Sequence, residues 1–176
     1  MNTDFRWLLV LLANLLMIAL VAEINHYLAI FSVHIFLGGL LLAFGVLRLR
    51  LRQGLIANGI TALVLDSLNP LPFGQTFFLL LTCHTIVFSL RGHLPRENIR
   101  SGTLIAAGMN LAIFLTLTLL NIGGQLNNSS YWQRIFVDGT ISTFALFLIA
   151  PWFLSLQKTA LAFIGIDLDA EQREAQ

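Results

Sequence analysis

Few residues in this chain could do chemistry, and those that could are isolated in apolar surroundings. Asp66 and the two histidines His34 and His84 lie within apolar runs. An ionisable side chain inside a membrane span is costly, about 2.5–3.5 kcal/mol for Asp at the centre of a helix on insertion scales, so each needs a reason. For Asp66 one reading is contact with an ion, a proton or a substrate. The other is a carboxylate at the interface that closes the Asn69-Pro70-Leu71-Pro72 turn by accepting from the backbone N–H of Asn69 or its neighbours. His34 and His84 fall near the middle of their runs. Two histidines on facing helices could bind a metal, but no Glu-x-x-His or His-x-x-x-His pair supports one, so neutral, hydrogen-bonded imidazoles and no metal are expected. His26 and His93 fall in expected loops.

The remaining polar points read as structural. Asp138 follows Arg134 by four residues, an i, i+4 pair stabilising by a few tenths of a kcal/mol. Glu23 ends the first apolar run in water, and Asn14, Asn110, Asn121 and Gln125 could bridge helices. Cys83, the single cysteine, excludes an internal disulfide and reads as a buried thiol. There is no G-x-S-x-G, no HExxH, no P-loop and no pair of membrane aspartates. The expectation is a protein that is not an enzyme and carries no cofactor.

The elements that position these residues follow from composition. Of the 176 residues 57% are hydrophobic and only 11% charged, with a mean hydropathy of +0.81. Soluble domains carry about 25% charged residues. A net charge of +1 with no basic stripe gives no sign of nucleic-acid binding. Six apolar segments predict an all-α, polytopic membrane bundle: Trp7–Ala22, Leu28–Leu47, Gly54–Leu68, Phe73–Leu90, Thr103–Ile122 and Ile135–Leu156. Residues 1–166 form one transmembrane domain and 167–176 a short polar tail. The first segment, with Asp4 beside Arg6 and no A-x-A site after Ala22, reads as an uncleaved span.

The third segment is short and contains Asn58 and Asp66, which alone suggests a re-entrant or broken element. Charge argues that it crosses. Arg48, Arg50 and Arg52 precede it, while Arg91, Arg96 and Arg100 follow the fourth segment. Both clusters reach the cytoplasm only if both segments cross or neither does. With crossing, Arg6, the two clusters, Lys158 and Arg173 share the cytoplasmic face with both termini, and Arg134 is alone opposite. The noncytoplasmic loops are then Glu23–Tyr27, Asn69–Pro72 and Gly123–Arg134. Tyr131 and Trp132 suit that interface, and Asn127-Asn128-Ser129-Ser130 holds overlapping glycosylation patterns that a short loop at the membrane disfavours. Gly38, Gly39 and Gly45, and Gly102, Ala106, Ala107, Gly108 and Ala112, offer small surfaces for close helix packing.

The stretch GLIANGITALVLDSLNPLPFGQTFFLLL, with Gly54, Gly59, Asp66 and Gly74, resembles the central region of the MreD family, rod shape-determining membrane proteins of bacteria. The shared pattern is a Gly-containing helix, an Asp near its end, and a Gly eight residues later opening the next helix. Pro151-Trp152-Phe153-Leu154 resembles the family's closing proline with its aromatic and apolar followers. The first spans are less polar than is common in that family, and its pattern does not require Pro70 or Pro72. The resemblance implies a non-enzymatic adaptor in the bacterial cytoplasmic (inner) membrane. It would bind the bitopic protein MreC and link MreB filaments to peptidoglycan synthesis by RodA and its transpeptidase. The cytoplasmic arginines would meet anionic lipid or partner surfaces.

Two other readings stand beside it. The substrate-binding subunit of an energy-coupling factor vitamin transporter has similar length and helix number. It would need a noncytoplasmic pocket, for which Asp66, Asn69, Asn121, Gln125, Tyr131 and Trp132 are candidates; the dispersed alanines count against it. A proton-coupled transporter or membrane enzyme would require Asp66, His34 and His84 to converge.

Overall fold

The computed structural model describes residues 5–68, 71–94, 99–124 and 127–166. These fold into helices α1 (Arg6–Leu28), α2 (Gly38–Arg48), α3 (Leu51–Leu68), α4 (Gln75–Leu90), α5 (Ile99–Leu120) and α6 (Ser129–Phe163), and there is no strand among them. A single 3-10 turn, Ala29–Phe31, follows α1. Three of these elements are long and apolar enough to cross a membrane: α1 with its 3-10 turn, α5 and α6. Helices α2 and α4 are apolar but shorter. The expected tail 167–176 and Arg96 lie outside the described residues, as do Asn69, Pro70 and Gln125.

Helix α2 is the axis of the bundle. Every residue from Gly38 to Leu47 is buried. Its sequence, Gly-Gly-Leu-Leu-Leu-Ala-Phe-Gly-Val-Leu, has no polar side because no side meets solvent. It packs against all five other helices. The closest approach is to α5. A Cβ on Gly39 would collide with the backbone nitrogen of Asn110 and lie 2.5 Å from the carbonyl oxygen of Ala106, so only glycine lets these two backbones touch. Gly108, by contrast, faces open space and takes no part in packing.

The outer helices are apolar on both sides and keep their polar groups inside. On α1, Leu8, Leu12, Leu16 and Leu20 form an exposed stripe at i, i+4 spacing, while Asn14 is fully buried among Val10, Leu11, Met17 and Ile18. On α6, Phe136, Phe144, Leu148 and Trp152 are exposed, whereas Ser142 and Gln157 are buried. This inversion of the soluble pattern suits lipid as the surrounding solvent. Charge divides along the bundle. Among the described residues the carboxylates Glu23, Asp66 and Asp138 sit toward one end of the alternating helices. Arg6, Arg48, Arg50, Arg52, Arg91, Arg100 and Lys158 sit toward the other.

The elements differ from the sequence expectation at several points. The second segment is not one helix across Leu28–Leu47: residues 32–37 are non-helical and α2 has only 11 residues. The first helix runs on to Leu28, so Glu23–Tyr27 and His26 are helical, not loop. The sixth has 35 residues, about 52 Å, and takes in Tyr131 and Trp132. Asn128 opens it, its side chain accepting from the Ser130 N–H at 3.1 Å.

Candidate functional site

The polar groups gather at three places: the α3–α4 turn, the mid-depth interior, and the 32–37 link with the cavity beside it. At the turn, Asp66 is 3% exposed and accepts three backbone N–H groups. Gly74 donates to Oδ2 at 2.9 Å, Thr76 to Oδ1 at 2.9 Å and Phe77 to Oδ2 at 3.0 Å. These groups open α4 and have no carbonyl partner of their own one turn back. The carboxylate therefore fills the role of an N-cap from the preceding helix, with the helix dipole favouring its charge. Gly74 has φ +93°, a conformation that a side chain disfavours. The Asp-to-Gly spacing is thus the span of this clasp. Asp66 closes the turn, but through donors eight to eleven residues on. Gly59 plays no comparable part, since a Cβ there would meet only Leu81 and Phe77 at 3.8 Å.

In the interior, hydrogen bonds tie the helices in a row. Gln157 of α6 donates to Asn14 Oδ1 on α1 at 3.1 Å. Asn14 Nδ2 in turn donates to the Leu41 carbonyl of α2 at 3.0 Å and to Thr61 Oγ1 of α3 at 3.1 Å. One turn along α3, Asn58 Nδ2 donates to the Leu42 carbonyl at 3.2 Å and lies 2.8 Å from His84 Nδ1 on α4. His84 is fully buried, stacked on Phe88, and wedged against Gly54, where a Cβ would come within 2.7 Å of the ring. It is a buried, interhelical histidine.

The link carries the third set. Its ends bond back to the adjoining helices, while side chains from three helices serve the backbone groups of residues 34–36. Asp138 Oδ1 accepts the His34 N–H at 3.0 Å and Ser142 Oγ accepts the Phe36 N–H at 2.9 Å. Asn25 reads both sides of Ile35, accepting its N–H at 2.8 Å and donating to its carbonyl at 2.9 Å. Asn110 donates to the Phe36 carbonyl at 3.0 Å and accepts the Gly39 N–H at 3.0 Å. Irregular backbone at membrane depth is tolerated where protein clothes it in this way. Asp138 keeps its expected partner as well, Arg134 Nε at 3.8 Å.

His34 lies on this link and not mid-helix, with Nε2 3.2 Å from Asn25 Nδ2. It borders a cavity of about 210 Å³ between α1, the link and the end of α3, walled otherwise by apolar side chains such as Met17, Ile18, Leu41 and Leu65. The pocket expected from Asp66, Asn121, Tyr131 and Trp132 is not assembled: Asp66 is engaged at α4, and Asn121 donates to the Leu117 carbonyl of its own helix at 2.8 Å. Nor do Asp66, His34 and His84 share partners. Asp66 of α3 caps the start of α4, whereas His84 lies near the middle of α4, about 12 Å further along its axis. The described residues contain no group of three or more His, Cys, Asp or Glu able to hold a metal. Pro151 lies within α6, exposed on its outer face.

A lateral groove of about 940 Å³ lies between α5 and α6. Gly139 forms its floor, and Phe114, Trp132, Phe136, Phe144 and Phe147 line it. Thr140 and Thr143 donate back to the Phe136 and Gly139 carbonyls of their own helix, so the groove presents a largely apolar surface, with the polar groups of Gln133 and Trp132 toward one end. Sequence reasoning missed the Asn25 and Ser142 contacts, for which the only signal was a polar residue in an apolar run. Comparison with protein-family models, with curated proteins and with solved structures found no match to this chain.

Proposed function

We propose that this chain is a non-enzymatic, MreD-like membrane adaptor of the bacterial cell-elongation machinery, crossing the cytoplasmic membrane six times with both termini inside. In this reading the second crossing is the link plus α2. The 11-residue helix accounts for about 16 Å of that crossing and the non-helical link before it supplies the rest. The basic end of the bundle is cytoplasmic by the positive-inside rule.

The observation that carries the adaptor reading is the α5–α6 groove. From Trp132 to Phe147 it runs about 22 Å along α6, which suits an apolar transmembrane helix lying alongside. The family-like Asp66 and Gly74 support the same reading, because they serve architecture and leave no reactive group exposed. The partner is an MreC-like bitopic protein, and through it MreB filaments and the wall synthases. The test is purification from native membranes with a tag on this chain. An MreC-like protein should co-purify, and the Gly139→Phe variant, which fills the groove floor, should lose it. Failure of the wild-type chain to retain any such protein sinks the proposal.

One observation favours the second reading, a substrate-binding subunit of a vitamin transporter of the energy-coupling factor type. The cavity of about 210 Å³ beside His34 and Asn25 is large enough for a small ring. A small molecule co-purifying with the detergent-solubilised protein and lost in His34→Phe would support that reading over the adaptor.

A further inference from the structure

The cavity beside the 32–37 link is graded from an open mouth to an apolar floor. Met17, Ile18, Leu37 and Leu41, all buried, close its depth. Ala22, His34 and Leu68, all exposed, stand at its mouth, with half-buried Asn25 beside His34. The mouth lies toward the end of the bundle opposite the arginine clusters, since Ala22 is in the last two turns of α1 and Leu68 ends α3.

Volume and lining restrict what fits. An apolar cavity of about 150 Å³ takes one six-carbon ring. At the same filling, a cavity of about 210 Å³ takes about eight or nine non-hydrogen atoms, and the open mouth admits a little more. That is the size of a two-ring compound. No Asp, Glu, Lys or Arg lines the cavity, so an ionised guest would shed its hydration without a partner. Phe36 and Met17 line it, and an aromatic ring and a thioether both suit an aromatic guest.

Asn25 is committed to the link, its Oδ1 and Nδ2 bonding the two sides of Ile35. His34 has hydrogen-bonding capacity to spare. Its Nε2 faces Asn25 Nδ2 at 3.2 Å, and its Nδ1 has no hydrogen-bonding partner among the described residues. The link itself is one wall, through Ile35 and Phe36, so a guest would brace a segment otherwise held by side chains.

We propose that this cavity binds a neutral, two-ring aromatic compound, its rings against Met17, Ile18 and Leu41 and its one hydrogen-bonding group at His34. The site rests on the same cavity as the vitamin-transporter reading and narrows that reading to uncharged ligands, but needs no transporter partner.

The experiment is equilibrium dialysis of the full chain in lipid nanodiscs against empty nanodiscs, with naphthol, naphthalene and naphthoate as probes. Naphthol should bind one to one, naphthalene about fivefold more weakly for want of one hydrogen bond, and naphthoate no better than to empty nanodiscs. His34→Leu should reduce naphthol to the affinity of naphthalene and leave naphthalene unchanged, a split that damage to the fold would not give. Ala22→Trp and Leu68→Trp, at exposed positions of the mouth, should abolish binding of both neutral probes while melting as wild type does. Bound naphthol should slow amide exchange at residues 34–37. Slowing confined to α5 and α6 would place the probe in the lateral groove and overturn the site. So would wild-type binding no greater than to empty nanodiscs, equal binding of naphthoate, or naphthol binding unchanged by His34→Leu and Ala22→Trp. These outcomes do not depend on a small molecule co-purifying with the chain, which tests the transporter reading alone.

Discussion

The α3–α4 turn and the 32–37 link face the same difficulty, backbone groups without helical partners inside an apolar bundle, and meet it in opposite ways. At the turn a single carboxylate, Asp66, reaches across eight to eleven residues to three N–H groups of the next helix. At the link the work is divided among Asn25, Asn110, Asp138 and Ser142, which lie on three helices and bond one or two groups each. The first device is local and charged. The second is distributed and depends on the tertiary fold. A charged acceptor of several N–H groups is strong but all-or-none, whereas the link's bonds, Asp138 excepted, are neutral, and such bonds between membrane helices are individually modest, about 0.6 kcal/mol on average.

Substitutions can break or sharpen that contrast. Asp66→Ala leaves three N–H groups at the opening of α4 without an acceptor and should cost about 3–5 kcal/mol. Asp66→Asn, which keeps one acceptor oxygen, should fall between it and wild type. Denaturant titration in detergent measures both, and an Asp66→Ala protein as stable as wild type would remove the clasp. Asn110→Ala loses one donor and one acceptor of the link and should cost about 2 kcal/mol in the same titration. Ser142→Ala removes the acceptor for the Phe36 N–H and a long 3.5 Å donation to the His34 carbonyl, and should cost about 1 kcal/mol, with faster amide exchange confined to residues 34–37. Exchange that spreads into α2 would mean the link is not a separable unit. The smallest effect should be Gly59→Ala, within about 0.5 kcal/mol of wild type, because its surroundings have room for a methyl group.

The turn was more legible in the sequence than the link for the same physical reason. Asp66, the proline-rich stretch and Gly74 lie close together in the chain, so a carboxylate ending one helix and a glycine opening the next could be paired by inspection. The choice of donors could not, since Asn69 and the α4 amides looked equally near. The charge clusters located the basic end, and Asn14 and Asn110 proved to be the interhelical bridges their types suggested. The break after Phe31 was hidden. Residues 28–47 read as one apolar run, and most of the bonds that hold the irregular link come from residues 71 to 106 positions away, Asn25 being the near exception. Val33 and Ile35, β-branched and alternating with His34 and Phe36 before Gly38-Gly39, are the only local trace. His34 and His84 looked alike in the sequence, yet one sits on irregular backbone and the other in a glycine slot. Only their neighbours distinguish them.

Those long separations also set a timetable. Phe36 and Ser142 are 106 residues apart. At about 5–20 residues per second, a ribosome needs roughly 5–20 s to deliver the second after the first. Throughout that interval the N–H of Phe36 has no Ser142, and the link has neither Asn110 nor Asp138 for much of it. The α3–α4 turn carries its own clasp, whose acceptor and donors are all present as soon as Phe77 is made. The early half of the chain therefore holds one finished unit and one waiting segment, and the final helix to be synthesised completes the second.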